Sequence, residues 1–366
     1  MNLETRQRIE NNFLIPVLSI LSGLLLAAVF ILLTQHNPLA AYGRMLQAGF
    51  GCAAFNRCAF FTTLQLATPL ILTGLSAVVA FRSGLFSLGQ EGQLYLGGMT
   101  AAWLGYVIHL PPVIHPAVAI GAAMIVGAVY GWIPGVLRVR LGVNEIISTI
   151  VLNNIAVLFV TYLINFPLRA DQSTTAHSPV IDQTARLMTF APGSDWGVGF
   201  VLALMAVVFV YFYLWRSTAG YEQRMAGQSL LFARFGGIPS ERAAIRGMLI
   251  SGALAGLAGA IEALGVHGRM LQGFSSGLGF DGLTAAILGQ VHPLGTTVVA
   301  VFFAGLRLGA QLGLQFALHI PRELGGGIIA LMILFVAAPQ LYRPLLDRIG
   351  GWLDRLGSRQ GAEEGA

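Results

Sequence analysis

The stretch RSTAGYEQRMAGQSLLFARFGGIPSERAAIR, residues 216–246, decides how the rest of the chain is read. Val198–Trp215 precedes it, eighteen residues without a charge, and Gly247–Gly265 follows it with Glu262 as its only charged residue. Within the stretch Arg216, Arg224, Arg234, Arg242 and Arg246 stand against Glu222 and Glu241, a net of plus three. A basic loop between two apolar spans belongs on the cytoplasmic side of a membrane, where arginines are retained during insertion. The loop also has internal order. Tyr221–Phe235 holds no proline and one glycine, Gly227, so Met225, Leu230, Leu231 and Phe235 are expected along one face of a single helix. Gly236–Gly237 stops that helix and Pro239 prevents its resumption. Such a helix is either a docking handle for a soluble partner or an amphipathic segment lying on the lipid surface.

Composition carries the membrane reading to the whole chain. Of 366 residues 55% are hydrophobic and 10% charged, against about 25% charged in a typical soluble domain. Several apolar runs approach the length that crosses a bilayer. All 21 basic residues are arginine, which excludes a GxxxxGK[ST] phosphate loop and ATP binding of that kind. The net charge of +5 belongs to arginines flanking spans, so nucleic acid is not an expected partner. Cys52 and Cys58 pair only if their loop faces an oxidising compartment, and two small apolar side chains are the simpler expectation. The seven histidines form no metal-spaced cluster.

In chain order, Phe13–Thr34 reads as a retained span, its apolar core too long for a cleavable signal. Residues 12–63 then complete an N-terminal span and outer segment. Residues 64–166 form the first half of a repeat, with spans Leu64–Phe81, Leu85–Ile108, Ala117–Leu137 and Glu145–Phe166. Residues 167–197 have few arginines and fit the outer, periplasmic side. After the basic loop, 247–343 form the second half, and 344–366 a cytoplasmic tail. Counting Gly279–Gln290 as a crossing gives ten transmembrane helices with both termini inside; a re-entrant segment there gives nine. The fold class expected is therefore all-α, a polytopic membrane protein in one transmembrane domain.

Glycines recur every four residues at Gly127, Gly131 and Gly135, at Gly252 and Gly256, and at Gly305, Gly309 and Gly313, as helix faces that approach closely do. Two segments resemble each other across the halves: SGLFSLGQEG (Ser83–Gly92) and SGLGFDG (Ser276–Gly282), each with one acid in a glycine-rich stretch. With ten spans they run in opposite directions, as in an inverted repeat with interrupted helices. Polar residues in apolar runs mark a candidate solute route: Glu91, Gln93, Asn144, Glu145, Asn153, Asn154 and Asp281. At Asn144 and Glu145 an N-cap and a favourable helix dipole explain the residues equally simply. No catalytic triad stands out, so the chain is not expected to be an enzyme.

GLFSLGQEGQLYLGG (Gly84–Gly98), GVNEIISTIVLNNIA (Gly142–Ala156), SGALAGLAGAIEALGVHGR (Ser251–Arg269) and GFDGLTAAILGQVHPLG (Gly279–Gly295) resemble, in that order, segments of the membrane permeases of bacterial ABC importers. The resemblance is to the nucleoside and simple-sugar branch of the larger group that also imports branched-chain amino acids and ribose, and it covers about residues 60 to 310. Ser87–Leu88 stands where that family often has Asn-Ile, and Gln228–Ser229 where it often has Asn-Pro. The resemblance implies a bacterial inner-membrane subunit that pairs with a second permease, a sister chain, and receives solute from a periplasmic or lipid-anchored binding protein. It also implies a separate ATPase that holds the ATP and Mg, with no cofactor in this chain. The ATPase would grip Tyr221–Ile238, where Glu222, Arg224, Leu231, Arg234, Phe235, Gly237 and Ile238 are the candidate coupling residues. An ion-coupled secondary transporter is the alternative, since it also uses inverted repeats and buried carboxylates but needs no ATPase.

Overall fold

Runs of Leu, Val, Ala and Ile satisfy every backbone polar group internally only as helices when no water is near, and helices are what the chain forms. In this computed structural model the described residues are 22, 25–29, 31–33, 35–52, 58–170, 175–190, 194–316, 327 and 330. The helices are α1 (Pro38–Phe50), α2 (Ala59–Arg82), α3 (Gln90–Val107), α4 (Ile114–Leu141), α5 (Glu145–Asn165), α6 (Val198–Arg216), α7 (Thr218–Gln228), α8 (Leu230–Phe235), α9 (Ser240–Ile261), α10 (Leu278–Leu288) and α11 (Pro293–Gly309). Helix α9 continues as a π-helix over Glu262–His267, and α11 over Ala310–Phe316.

Among the described residues six helices are long and apolar enough to cross a membrane, or seven if the bent pair Leu25–Leu33 and Pro38–Phe50 counts as one. The chain is a multi-pass membrane protein. Of the ten spans expected, most of the first and nearly all of Gly327–Arg343 lie outside the described residues, as does the tail 344–366. The helix of Gly279–Gln290 does not cross by itself: α10 has 11 residues, about 16 Å at 1.5 Å per residue, half of a bilayer core of about 30 Å, and the non-helical residues before it connect it to the loop 175–190 through Gly268 and Met270. The expected span Leu85–Ile108 also changes, because its helix begins only at Gln90 and residues 83–89 are not helical.

Two compact units divide the chain, Gly49–Gly305 in one and Met1–Ala48 with Leu306–Ala366 in the other. In the second unit Gly309 and Gly313 lie against the backbone of Met45 and Arg44, a close approach a side chain would prevent. In the first unit α2 and α9 are buried along most of their length and α4, α5 and α6 turn most of theirs outward. Glycines set the central spacing. Gly97 meets the backbone of Gly256, and Gly127 meets that of Gly252 and Gly256. The expected glycine ridges are therefore contact faces between α3, α4 and α9. Cys52 and Cys58 are joined as a disulfide across an isolated antiparallel bridge, correcting their reading as two unpaired apolar side chains.

Candidate functional site

The two look-alike segments meet. Glu91 occupies the second position of α3 and is buried. One carboxylate oxygen accepts from Ser275 Oγ at 2.6 Å and the other from the backbone N–H of Gly279 at 2.7 Å. Gly279 belongs to the first turn of α10, so the carboxylate caps that helix, whose positive end favours an anion. A Cβ at Gly279 would collide with the backbone and carboxylate of Glu91, so glycine allows the contact.

Asn153 of α5 supports the junction from the other side. Its Oδ1 accepts from Gly92 N–H at 2.8 Å and its Nδ2 donates to Leu88 O at 2.5 Å. Thr149 Oγ1 accepts from Leu88 N–H at 3.2 Å. These bonds satisfy backbone groups that residues 83–89 leave free. Asn153 is eight residues along α5 from Glu145, about 12 Å into the membrane, so α3 starts at depth. Helix α10 starts beside it, and its far end returns to Arg82, whose Nε donates to Val291 O at 3.0 Å. Two helices that begin inside the bilayer thus meet at one carboxylate, carried by the first turn of α3 and capping α10, as interrupted helices do in transporters.

The other expected route residues separate. Gln93 is buried on the opposite face of α3, with Nε2 beside Gly131 of α4 and no hydrogen-bond partner for Oε1 among the described residues. Asn154 is exposed and donates to Ile150 O at 3.0 Å, one turn back on its own helix, so it points away from the junction. Asn144 accepts from Ile146 N–H at 2.9 Å as an N-cap, and Glu145 pairs with Arg138 at 3.1 Å. Asn144 thus caps α5, Glu145 ties α5 to the end of α4, and both lie apart from the Glu91 junction. Asp281 sits half-buried in the first turn of α10.

Sequence reading passed over a neighbouring group. Tyr95 donates to Ser275 O at 3.1 Å and meets Phe274 edge-on at 4.8 Å between centroids. His267 meets Phe274 edge-on at 6.1 Å and lies 3.5 Å from buried Glu262. Glu262 and His267 open and close a π-helical turn, a feature frequent at functional sites. The available signal was Glu262 itself, the lone charge of its apolar run.

At the other end of the unit lies the basic loop, and it is not one helix. Ser217 caps α7 by accepting from Gly220 N–H at 3.0 Å. Helix α7 ends at Gln228 and α8 begins at Leu230, with Ser229 extended between them. Helix α7 is fastened inward. Gln223 donates to Val79 O at 2.7 Å and accepts from Tyr213 Oη at 2.7 Å. Glu222 pairs with Arg246 at 3.0 Å, and Gly227 packs on the backbone of Arg82 and Gly84. Arg224 and Arg82 lie 5.6 and 5.4 Å from the Trp215 ring, with His292 at 4.9 Å. Glu222 and Arg224 are therefore both fastened to the frame of the unit, half-buried. Helix α8 packs through Ala233 on Ala226, Ala243 and Ile238 and turns Phe232 and Phe235 outward, 64% and 91% exposed. Gly237 has φ +73°, as the expected stop requires. The side chains of Leu231 and Arg234 lie outside what the structure describes. Phe232 is the exposed aromatic that the single-helix reading missed, because the break at Ser229 resets the phase.

Residues 59–337 match the family described as Branched-chain amino acid transport system / permease component. The guanosine ABC transporter permease protein NupP of Bacillus subtilis is 33% identical over 342 residues, covering 93% of this chain and 97% of that one. The nucleoside ABC transporter permease protein NupB of Lactococcus lactis is 31% identical, covering 95% of each chain. The glucose ABC transporter permease protein TsgB13 of Haloferax volcanii is 31% identical, covering 94% of this chain and 91% of its own. No solved structure matches. With interrupted helices at its centre and a family match across most of its length, the chain belongs to the branched-chain amino acid transport system permease family, as the permease component of a transport system.

Proposed function

We propose that this chain is a transmembrane subunit of an ATP-binding-cassette importer that carries a nucleoside or a simple sugar into the cytoplasm of a bacterium. The similarity to guanosine, nucleoside and glucose permeases over nearly the whole chain supports that solute class. Its partners are an ATPase that binds ATP and Mg, a second permease completing the pore, and a solute-binding protein outside the inner membrane. The carrying observation is the hook of α7 and α8. Two phenylalanines stand in solvent on a short helix whose frame is hydrogen-bonded to α2, α6 and α9. Exposed aromatics on a rigid mount are typical anchors of a protein interface. A push on them reaches α2 through Val79 and Gly227, and the turn after α10 through Arg82.

The test is a Phe232→Asp, Phe235→Asp double variant. Neither residue lies in a span, so membrane insertion stays intact. Co-purification with the ATPase falls at least tenfold and ATP-driven uptake is lost. Normal insertion with parental ATPase retention and parental uptake overturns the docking role.

A further inference from the structure

The turn that follows α10 holds two residues in a conformation their side chains resist. Gln290 has φ +56° and Val291 φ +52°, and neither is glycine. In that left-handed region Cβ crowds the following carbonyl, and for a β-branched residue such as valine it is a rare and costly backbone. The glycine that would accept it stands one residue early, at Gly289, where it packs on the backbone of Gly295 and Thr296. Strain of this kind persists only where the surroundings hold it. Here Val291 N–H donates back to Ala286 O at 2.8 Å, and Val291 O accepts from Arg82 Nε, at the end of α2, at 3.0 Å. Arg82 is fixed in turn by Trp215, at the end of α6. Its guanidinium lies 5.4 Å from the indole, that of Arg224 on α7 lies 5.6 Å from the same ring, and His292, the next residue of the turn, is 4.9 Å away. Neither arginine forms an ion pair among the described residues, and Arg224 Nε is buried with no hydrogen-bond partner there. Like charges repel, so what gathers these two cations is the indole. Burial and the nearby Arg82 lower the His292 pKa, so its ring stays neutral and adds no third charge.

We infer that Arg82 and Trp215 are positioning residues for transport: they hold the strained turn Gln290–Val291 against α7, so that α10 moves when the ATPase moves α7. The inference rests on the reading of α7 and α8 as the ATPase's hook. Helix α10 is tied at both ends. Its first turn is bound to Glu91 through the Gly279 N–H at 2.7 Å, and its last residue, Leu288, stands two before the strained pair. A shift of Arg224 on α7 displaces the indole and loosens Arg82 from Val291. The turn then relaxes towards the right-handed conformation, which its side chains favour, and carries α10 and the Glu91 junction with it. The energy that drives the step is stored in the two left-handed residues, and Arg82 is the catch that releases it.

The experiment uses the full chain with its second permease and ATPase in lipid nanodiscs. Cys52 and Cys58 are replaced, and Phe280→Cys places a thiol at an exposed position in the first turn of α10. The rate of labelling by N-ethylmaleimide is read without nucleotide and with a non-hydrolysable ATP analogue. In the parent the analogue changes that rate at least fivefold. Val291→Gly removes the strain, since glycine accepts positive φ without penalty. Its thermal midpoint rises and its ATPase retention stays parental, yet the nucleotide response falls below twofold. A turn that served structure alone would gain the same stability and keep its response. Arg82→Gln and Trp215→Leu also lose the response, and Trp215→Phe, which keeps an aromatic face for the arginines, retains it. A parental response in Val291→Gly or Trp215→Leu overturns the inference. So does a lower thermal midpoint in Val291→Gly, or a parent whose labelling ignores nucleotide. The hook reading fails separately, if the Phe232→Asp, Phe235→Asp variant retains the ATPase in the same assembly.

Discussion

Each oxygen of Glu91 holds a different piece of the chain, the hydroxyl of Ser275 or the amide of Gly279. Replacement by glutamine keeps the shape but removes the charge, so the Gly279 N–H meets a neutral amide oxygen and the Ser275 hydroxyl must turn to accept from the amide NH2. Hydrogen bonds to a charged group are worth about 1.5–3 kcal/mol each, and about 1.4 kcal/mol is tenfold in an equilibrium. Glu91→Gln is therefore expected to slow uptake at least tenfold at every solute concentration while protein in the membrane stays at the parental level. Unchanged initial rates across the concentration range would show that the carboxylate is dispensable. Glu91 and Asn153 were legible as polar residues in apolar runs, because the bilayer makes such groups costly unless protein surrounds them. Asn154 was not separable from Asn153. Helix α5 is apolar on every side, so its sequence carries no phase to say which of two adjacent asparagines faces inward. Glu262 obeyed the same rule as Glu91 and was missed, because its partner His267 lies on a π-helical turn that ordinary helical spacing does not anticipate.

The hook shows how one residue divides an element. Ser229 adopts an extended backbone, caps the next helix by accepting from Phe232 N–H at 3.3 Å, and so separates α7 from α8. Apolar spacing alone ran straight through it, because neither a glycine nor a proline stands at the break. The stop at Gly237 was legible, because consecutive glycines before a proline end a helix. Its Cβ position is open, so substitution there acts only through backbone strain. The left-handed conformation costs a non-glycine residue about 1–2 kcal/mol, least for asparagine. Gly237→Asn, Gly237→Ala and Gly237→Val are expected to weaken ATPase co-purification in that rising order, the last by about tenfold. Equal retention by the alanine and valine variants would dissociate the turn from docking.

For the molecule as a whole, sidedness follows from where arginines collect. Val180 lies in the arginine-poor loop and Gln228 at the end of α7, and both are exposed. In a background with Cys52 and Cys58 replaced, a cysteine at Val180 should react with an impermeant thiol reagent in cells whose outer membrane is opened. One at Gln228 should react only after lysis. The reverse pattern would invert the topology. The number of crossings was harder to read than the class, since a hydropathy window of about 19 residues registers an apolar run but not the depth at which its helix begins. Helices α3 and α10 both begin at depth, so one lost its first residues to an irregular segment and the other proved too short to span. The separate fastening of α7 and α8 also bears on how such transporters diversify. Helix α7 is written into the bundle, so its residues are bound to this chain's own architecture. Among the described side chains of α8, Ala233 packs inward while Phe232 and Phe235, the proposed docking pair, face out and are free to drift with whichever motor the cell supplies. A transporter built this way can change its engine by rewriting one turn and a half of helix, leaving the vocabulary of its cargo untouched.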